Sequence, residues 1–445
     1  MPYKLAVEKN MCDFNCQDCQ DCQDCQDCQD CQDCQEVNQL SGEQDLLLQK
    51  LRPLFPANRH EHVFVVGGSV RDSLLGLPVN DHDLVAAVAE ELLASRGFRL
   101  VSGRSTVPVW FRHDAAIGTV ELIRLDDICR LDADLRRRDF TINAIALSLS
   151  GSLYDPLNGQ HDLQQRLLRV CSGQSFVDDP LRLIRAVRFV ANGWQLAPET
   201  VQLIQQQDWA EQLACLPVER FSREMVKALA ARQPERFFEL LVSFGLGTDW
   251  LPELFRMPAI PAGPLQHHPE GDLLTHCLQV LQRAAAVSPD PLTRFCAFFH
   301  DIGKLATAPA LYPRHHGHDA AGFKPALNLC KRLCLPTEWG RALAWISRLH
   351  TNLNRWSELR HATMLRIADQ AHKAGISLIL PIVSAADKPG NSTPDQWLQA
   401  LEIATMNSAQ LGIDKDQLEA MQAKHRPDFI LQHRIRLLRS YEDIS

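Results

Sequence analysis

Asp81 and Asp83, separated by one residue, are the first side chains in this chain whose type and spacing suggest chemistry. With Leu84, Val85 and Ala86 behind them they read as the start of a strand, where alternate side chains share a face. Two carboxylates side by side repel each other unless a cation sits between them. Paired Mg²⁺ ions bridging an attacking hydroxyl and a nucleoside triphosphate need such ligands. A D-x-D pair alone also suits an exposed loop, so the stretch before it matters. Val63 to Val66 form a short apolar run expected to be a buried strand. Gly67 and Gly68 let the backbone turn sharply and approach a ligand closely. Ser69 to Leu75 then suits a short helix stopped by Gly76 and Pro78, its tip favouring phosphate and Arg71 adding a fixed charge one turn in.

Two further blocks carry charge in patterns suited to a nucleotide. In Asp134-Leu135-Arg136-Arg137-Arg138-Asp139-Phe140-Thr141-Ile142-Asn143-Ala144, three arginines precede a carboxylate and a stretch, Thr141 to Leu149, of helical character. Arginine can hold phosphate oxygens bidentately, although a solvated charge run has the same composition. In Asp178-Asp179-Pro180-Leu181-Arg182-Leu183-Ile184-Arg185-Ala186-Val187-Arg188-Phe189, arginines recur at three-residue steps along a helix, leaving Leu183, Ile184 and Val187 for the core. Asp179 before Pro180 is a good N-cap in its own right. An Asp and an Arg one turn apart also offer a base edge one acceptor and several donors. Glu121, in an alternating segment, is a candidate third acidic group or an ordinary sheet-surface glutamate.

A different constellation crowds residues 266 to 390: His267, His268 and Glu270, then His276, His300-Asp301-Ile302-Gly303-Lys304, Arg314-His315-His316-Gly317-His318-Asp319, and Asp387. His-Asp at the end of the apolar helical run FCAFFHD can put an imidazole and a carboxylate on one metal.

The elements that must position these groups are set out along 445 residues, enough for several domains with real cores. The net charge of −8 argues neither for nor against nucleic acid, because binding depends on local basic surface, and any RNA contact should be an arginine patch on an otherwise acidic molecule. No stretch of eighteen apolar residues suggests a membrane span, the N-terminus lacks a signal-peptide core, and a cytoplasmic protein is expected. Eight of fifteen cysteines lie in the N-terminal tail, seven of them in one CQD repeat from Cys16 to Cys34, and the tail is read as disordered because the repeat has nothing apolar to pack. The other seven are expected to be reduced thiols, mostly buried. LLLQKLRPLF suggests a lead-in helix, AEELLASRG another, and FRLVSG, VPVWFRH and GTVELIRL strands.

The run from Val63 to Asp83 resembles the nucleotidyltransferase signature of the polymerase-β superfamily. With the other blocks it resembles, from about residue 62 to 440, the class II tRNA nucleotidyltransferases or CCA-adding enzymes, and their relatives the bacterial poly(A) polymerases. GGSVRD with DHD matches the metal motif and DLRRRDFTINA the motif RRDFT-x-NA. DDPLRLIRAVRF matches EDxxR, with Asp178 in place of Glu. The resemblance implies Mg²⁺ on Asp81 and Asp83, triphosphate contacts from Gly68 and Arg71, and Arg138 on the ribose or triphosphate. It implies Asp179 and Arg182 reading the base of CTP or ATP, supported by Arg185 and Arg188. The downstream stretch resembles the HD domain of metal-dependent phosphohydrolases, which implies His276, His300, Asp301, His318 and Asp387 as ligands of a divalent ion such as Ni²⁺ or Mn²⁺. QHHPEGDLLTH, HDIGK, YPRHHGHDAAG and ADKPG resemble the subgroup called multifunctional CCA proteins, with 2′-phosphatase, 2′-nucleotidase and 2′,3′-cyclic phosphodiesterase activities.

The expected fold is an α+β nucleotidyltransferase head with a polymerase-β palm at 45–170, after a disordered tail at 1–44. An all-α neck at 171–254, an HD body at 255–395 and a helical tail at 396–445 follow. The expected reaction is attack of a tRNA 3′-hydroxyl on the α-phosphate of CTP or ATP. The alternatives are CC-only or A-only addition or a poly(A) polymerase, divided by the loop near Gly103 to Val109, and outside enzymes a catalytically dead RNA-binding module.

Overall fold

The computed structural model describes residues 42–442 apart from 80, 102–107, 389, 391–393 and 395. The cysteine repeat and most of the Gly103–Val109 loop lie outside these residues.

The N-terminal part is built on a mixed sheet of seven strands: β1 (Val63–Val66), β2 (Asp81–Ala86), β3 (Arg99–Val101), β4 (Val109–Asp114), β5 (Gly118–Arg124), β6 (Ala146–Ser148) and β7 (Leu153–Tyr154). Their spatial order is β3-β4-β5-β2-β1-β6-β7, with β2 and β5 parallel and every other pair antiparallel. Alternation splits the core. Val63, Val65, Leu84 and Ala86 face the helix Gly42–Leu51, while Phe64, Val66 and Val85 face Leu131 and Leu135 of the helix Leu131–Arg136. The lead-in helix, the helix after β1 (Gly68–Leu74) and the helix Glu90–Ser95 stand where the sequence suggests.

The helical expectation for residues 141–149 fails. Thr141 to Leu149 is not helical: a single 3₁₀ turn, Thr141–Asn143, leads into β6. Ile142 and Ala144 to Leu147 are wholly buried, and β6 pairs with β1 through Val65↔Leu147 and Val66↔Ala146. An apolar run buried on all sides carries no period, so sheet pairing decides its form.

Beyond β7 the described chain is almost entirely helical, and one continuous core runs from Phe140 to Leu438. Leu163, Leu168 and Val170 belong to that core rather than to the sheet, so residues past β7 pack with the helical part. Trp397 of the helix Gln396–Thr405 is buried in the same core, which ties in the C-terminal helices. Among the described residues no helix is long and apolar enough to cross a membrane. The cysteines outside the repeat are less buried than expected: Cys277, Cys296 and Cys330 are buried, Cys171 half-buried, and Cys129, Cys215 and Cys334 exposed.

A nucleotide-sized cleft and a histidine-lined centre

The end of β1 and the start of β2 meet at one side of the sheet. Asp83 sits opposite Val66 on β1 and Glu121 on β5, and Asp81 opposite Thr119, so the two aspartates share a face bounded by the glycine turn. Gly67 holds φ +72 and ψ −139, a conformation open to glycine. A Cβ there would stand 3.1 Å from Nη1 of Arg138 and 3.3 Å from Oδ2 of Asp83. Ser69 Oγ donates to the Asp81 carbonyl at 2.6 Å, locking the helix tip to β2. Between the aspartates, His82 points into the core, where its Nε2 reaches the Ile117 carbonyl at 3.1 Å and burial lowers its pKa.

This corner opens into a cleft of about 490 Å³ lined by the two aspartates and by Arg71, Arg138, Arg185 and Arg188. The acidic lining is electrostatically frustrated. Asp83 and Glu121 are both open to solvent, but the protein crowded around them partly desolvates the carboxyls: this and the neighbouring Asp81 push Asp83 up against the pull of Arg138, and the same desolvation with Asp83 and Asp81 pushes Glu121 up. A divalent cation relieves such repulsion, so the donor set fits one.

The basic lining is held by a buried network. Asp139 accepts from Nη2 and Nε of Arg185 at 2.5 and 2.9 Å and, through Oδ1, from the Phe140 amide and Asn143 Nδ2, both at 2.9 Å. Asn143 Oδ1 in turn accepts from Nη1 of Arg71 at 2.7 Å. Burial works against a charge on Asp139, but Arg185 and Asn143 outweigh it and hold the carboxyl below its ordinary range. Arg188 pairs with buried Glu224 and lies over the Phe189 ring at 4.5 Å. Asn143, Asp139 and Glu224 were given no role of their own from the sequence, Asp139 standing there only as the carboxylate after the three arginines. The first two stand inside the RRDFT-x-NA match, whereas Glu224 is 36 residues from Arg188 and carries no local signal.

The remaining residues singled out are placed differently. Of the three successive arginines only Arg138 borders the cleft. Arg136 pairs with Asp132 at the surface, as a solvated charge run would, and Arg137 with the buried Asp134. Asp179 caps its helix by accepting from the Leu181 amide at 3.1 Å, and it pairs with Arg220 at 2.9 Å. Arg182 donates to the Arg137 carbonyl at 2.6 Å and to Ser175. Neither Asp179 nor Arg182 borders the cleft in this arrangement. Gly68, Arg185 and Arg188 do.

In the helical body, His276 projects from the helix Leu273–Val287, His300 ends the helix Pro291–Phe299, and Asp387 ends the helix Ile379–Asp387. Asp290 caps the second of these, its carboxylate accepting the Thr293 amide at 2.9 Å, with Pro291 at the first helical position. The three helix ends bring His276, His300, Asp301 and Asp387 together. His318 and His350, the latter from the helix Thr337–Asn354, close on Asp301 from another side. His350 was not anticipated: a lone histidine in an amphipathic helix reads as a satisfied core residue. Gly303 makes the approach possible, because a Cβ there would lie 2.0 Å from the His318 carbonyl oxygen and 2.7 Å from the Gly322 nitrogen. His315, by contrast, is structural, joined to Thr307 Oγ1 at 2.6 Å and the Pro261 carbonyl at 2.7 Å.

Nε2 of His276, Nε2 of His300 and Oδ1 of Asp301 are buried without a hydrogen-bond partner. Such atoms cost about 1–3 kcal/mol each unless something binds them, and they are the donor set a metal takes. Burial opposes a charge on His300, but Asp301 and Asp387 push its pKa up to about 10. Lys304 and His300 hold Asp301 well below the carboxylate range.

Comparison with known proteins follows this division. Residues 111–169 match the family of the poly A polymerase head domain, 193–257 the probable RNA and SrmB-binding site of polymerase A, and 273–389 the HD domain. A multifunctional CCA protein of Methylococcus capsulatus is 38% identical over 326 residues, covering 69% of this chain and 76% of that protein. Another, of Legionella pneumophila, is 37% identical over 328 residues, covering 69% and 79%. The fold is shared with a CCA-adding enzyme of Thermotoga maritima solved with tRNA (TM-score 0.58, 20% identity, 88% and 90% covered) and one of Bacillus stearothermophilus solved with CTP (0.55, 24%, 88% and 90%).

Proposed function

The chain belongs to the multifunctional CCA proteins, and from that membership and the cleft we propose that it completes the 3′ end of tRNA with C, C and A from CTP and ATP. The observation that carries the reading is the pairing of Asp81 and Asp83 with the Gly67–Gly68 turn and four cleft arginines. Mg²⁺ held by the aspartates would assist deprotonation of the 3′-hydroxyl and offset charge on the triphosphate. The glycine turn admits the triphosphate close to the backbone. Arg71 and Arg138 hold its oxygens, Arg71 steered by Asn143 and Arg138 by Asp134 at 3.0 Å. Arg185 and Arg188 arrive with their charges already matched by Asp139 and Glu224, so little reorganisation accompanies nucleotide entry. Base reading by Asp179 and Arg182 requires them to exchange Arg220 and the Arg137 carbonyl for the base edge. The domain limits and the cytoplasmic setting read from the sequence belong to the same proposal.

The test is incubation with Mg²⁺ and tRNA ending before C, after C and after CC, with CTP and ATP alone and together, resolved at single-nucleotide length. Ordered growth to CCA and then a halt is expected. Asp81→Ala and Asp83→Ala abolish addition while leaving tRNA binding largely intact, and retained incorporation by both variants refutes the assignment.

A second activity, metal-dependent hydrolysis of phosphate esters, is proposed for the centre around Asp301. The observation favouring it is the set of buried atoms with no hydrogen-bond partner within one cluster of histidines and aspartates. A divalent ion there would polarise a phosphoryl group. Release of phosphate from a 2′-phosphorylated nucleotide, dependent on added Ni²⁺ or Mn²⁺ and lost in Asp301→Asn, is the expected result. Hydrolysis that survives this change refutes it.

A further inference from the structure

We propose that Phe189 is a positioning residue of the nucleotide cleft, whose π face holds the guanidiniums of Arg71 and Arg188 together so that both meet one triphosphate. This rests on reading the cleft as the CTP and ATP site. It gives a role to the one aromatic side chain among the described residues that line it.

The two arginines converge on the ring from separate elements. Arg71 belongs to the helix Gly68–Leu74 of the head, whereas Arg188 stands beside Phe189 on the helix Leu181–Ala191. Their Cζ atoms lie 5.3 and 4.5 Å from the centroid of the Phe189 ring, within the roughly 6 Å at which a ring face attracts a cation. Their side chains are 16% and 14% exposed, so water screens these contacts little.

Cations gathered this closely repel one another. Burial, and after it the charges of Arg185 and Arg71, pull the Arg188 pKa below its ordinary value against the support of Glu224. Another carboxylate facing the pair would relieve that repulsion but would also repel an incoming triphosphate. The negative face of an aromatic ring offsets it without adding an anion. It also leaves the N–H edges of both guanidiniums open. Arg71 donates through Nε and Nη2 to Asp72 at 2.9 and 3.0 Å and through Nη1 to Asn143 at 2.7 Å. Those bonds take three of its five N–H groups and leave one on each terminal nitrogen. Arg188 donates to Glu224 through Nε, and neither of its terminal nitrogens donates to a described residue.

The ring is itself fixed. Phe140 and Trp194 meet it edge-on, with centroids 5.6 and 6.0 Å away and planes at 77° and 90°. At 4% exposure it has no open face on which a nucleobase could stack. The phosphate chain is therefore the part of the nucleotide that feels this ring, through the two arginines.

The test places 4-fluoro-, 3,5-difluoro-, 3,4,5-trifluoro- and pentafluorophenylalanine at position 189 of the full chain. Fluorines drain the π face stepwise at nearly constant ring shape, so only a contact that uses the face responds in proportion. KM for CTP and for ATP is measured beside the melting temperature, together with the inhibition constant of pyrophosphate, which has phosphates but no base. All three constants should climb together with fluorine number, to about tenfold in the pentafluoro chain, with kcat changing less. Phe189→Leu, which fills the space without a π face, should match the pentafluoro chain. Constants that stay flat across the series overturn the proposal and leave the ring as core packing. A rise that follows melting temperature instead of fluorine number does the same. A rise for CTP and ATP without pyrophosphate means that the ring stacks on a base, and this too overturns it. If the parent chain adds neither C nor A, the nucleotide reading falls as well, whereas addition of CCA with a flat series leaves that reading standing. The fluorinated chains decide the matter even where Phe189→Leu does not fold.

Discussion

Gly67→Ala isolates the tightest point of the nucleotide cleft. The backbone there has φ +72 and ψ −139, and a non-glycine residue in such a region costs about 1–3 kcal/mol. The added Cβ also stands 3.1 Å from the Arg138 guanidinium and 3.3 Å from the Asp83 carboxylate, so one or both must give by a few tenths of an ångström. Misplacing a reacting group by about 1 Å can cost roughly a hundredfold in rate, so a shift of tenths in both groups should cost about tenfold, near 1.4 kcal/mol of transition-state stabilisation. Gly76→Ala is the matched control. Gly76 has φ +67 with nothing within 4 Å of a Cβ, so it takes backbone strain of about 1–2 kcal/mol without the crowding. Single-turnover addition of one nucleotide reads the rate, and hydrogen exchange of the β1 and β2 amides reads local stability. Gly67→Ala should lose both and Gly76→Ala stability alone. A Gly67→Ala enzyme as fast as the parent, or equal rate losses in both variants, refutes the crowding argument.

Asp139→Asn removes the charge facing Arg185. Because the Asp139 carboxyl is held below its ordinary range, its contribution is present above the unfolded value near 3.9 and lost as pH falls through the lower folded value. The variant should be less stable at pH 7 by about 2–3 kcal/mol, given the partial exposure of Arg185, and flatter below about pH 4. Urea melts between pH 2.5 and 7 check both, and identical acid slopes refute the assignment. Glu224→Gln leaves the buried Arg188 guanidinium without its counter-charge, and KM for CTP and ATP should rise about tenfold with a smaller change in kcat. An unchanged KM shows that Phe189 stacking alone positions Arg188. Gly303→Ala forces a Cβ against the His318 carbonyl, so Mn²⁺ affinity and phosphatase activity should fall while single-nucleotide addition persists. Equal loss of both activities refutes independence of the two centres.

Much of this was legible because its causes are local. The β1 strand, the glycine turn and the D-x-D strand are set by β-branched residues, glycine freedom and a period of two, all within about twenty residues. The arginines of the helix Leu181–Ala191 could be separated from Leu183, Ile184 and Val187 by helical spacing alone. Capping by Asp179 was equally local. The helical reading of Thr141–Leu149 failed because an apolar run buried on all sides looks the same whether it ends in a helix or in a strand such as β6.

The sequence by itself determined which groups could do chemistry: paired aspartates, an arginine series and a histidine-rich stretch, each defined by residue type and short spacing. Only the tertiary structure decided which of them meet. Glu224 reaches Arg188 across 36 residues, and His318 reaches Asp301 because Gly303 lets its turn lie flush against the His318 carbonyl. Arg182 and Asp179 were drawn toward Arg137 and Arg220 instead of the cleft. Those pairings depend on how helices pack around one shared core, and packing joins positions whose separation along the chain leaves no period to read.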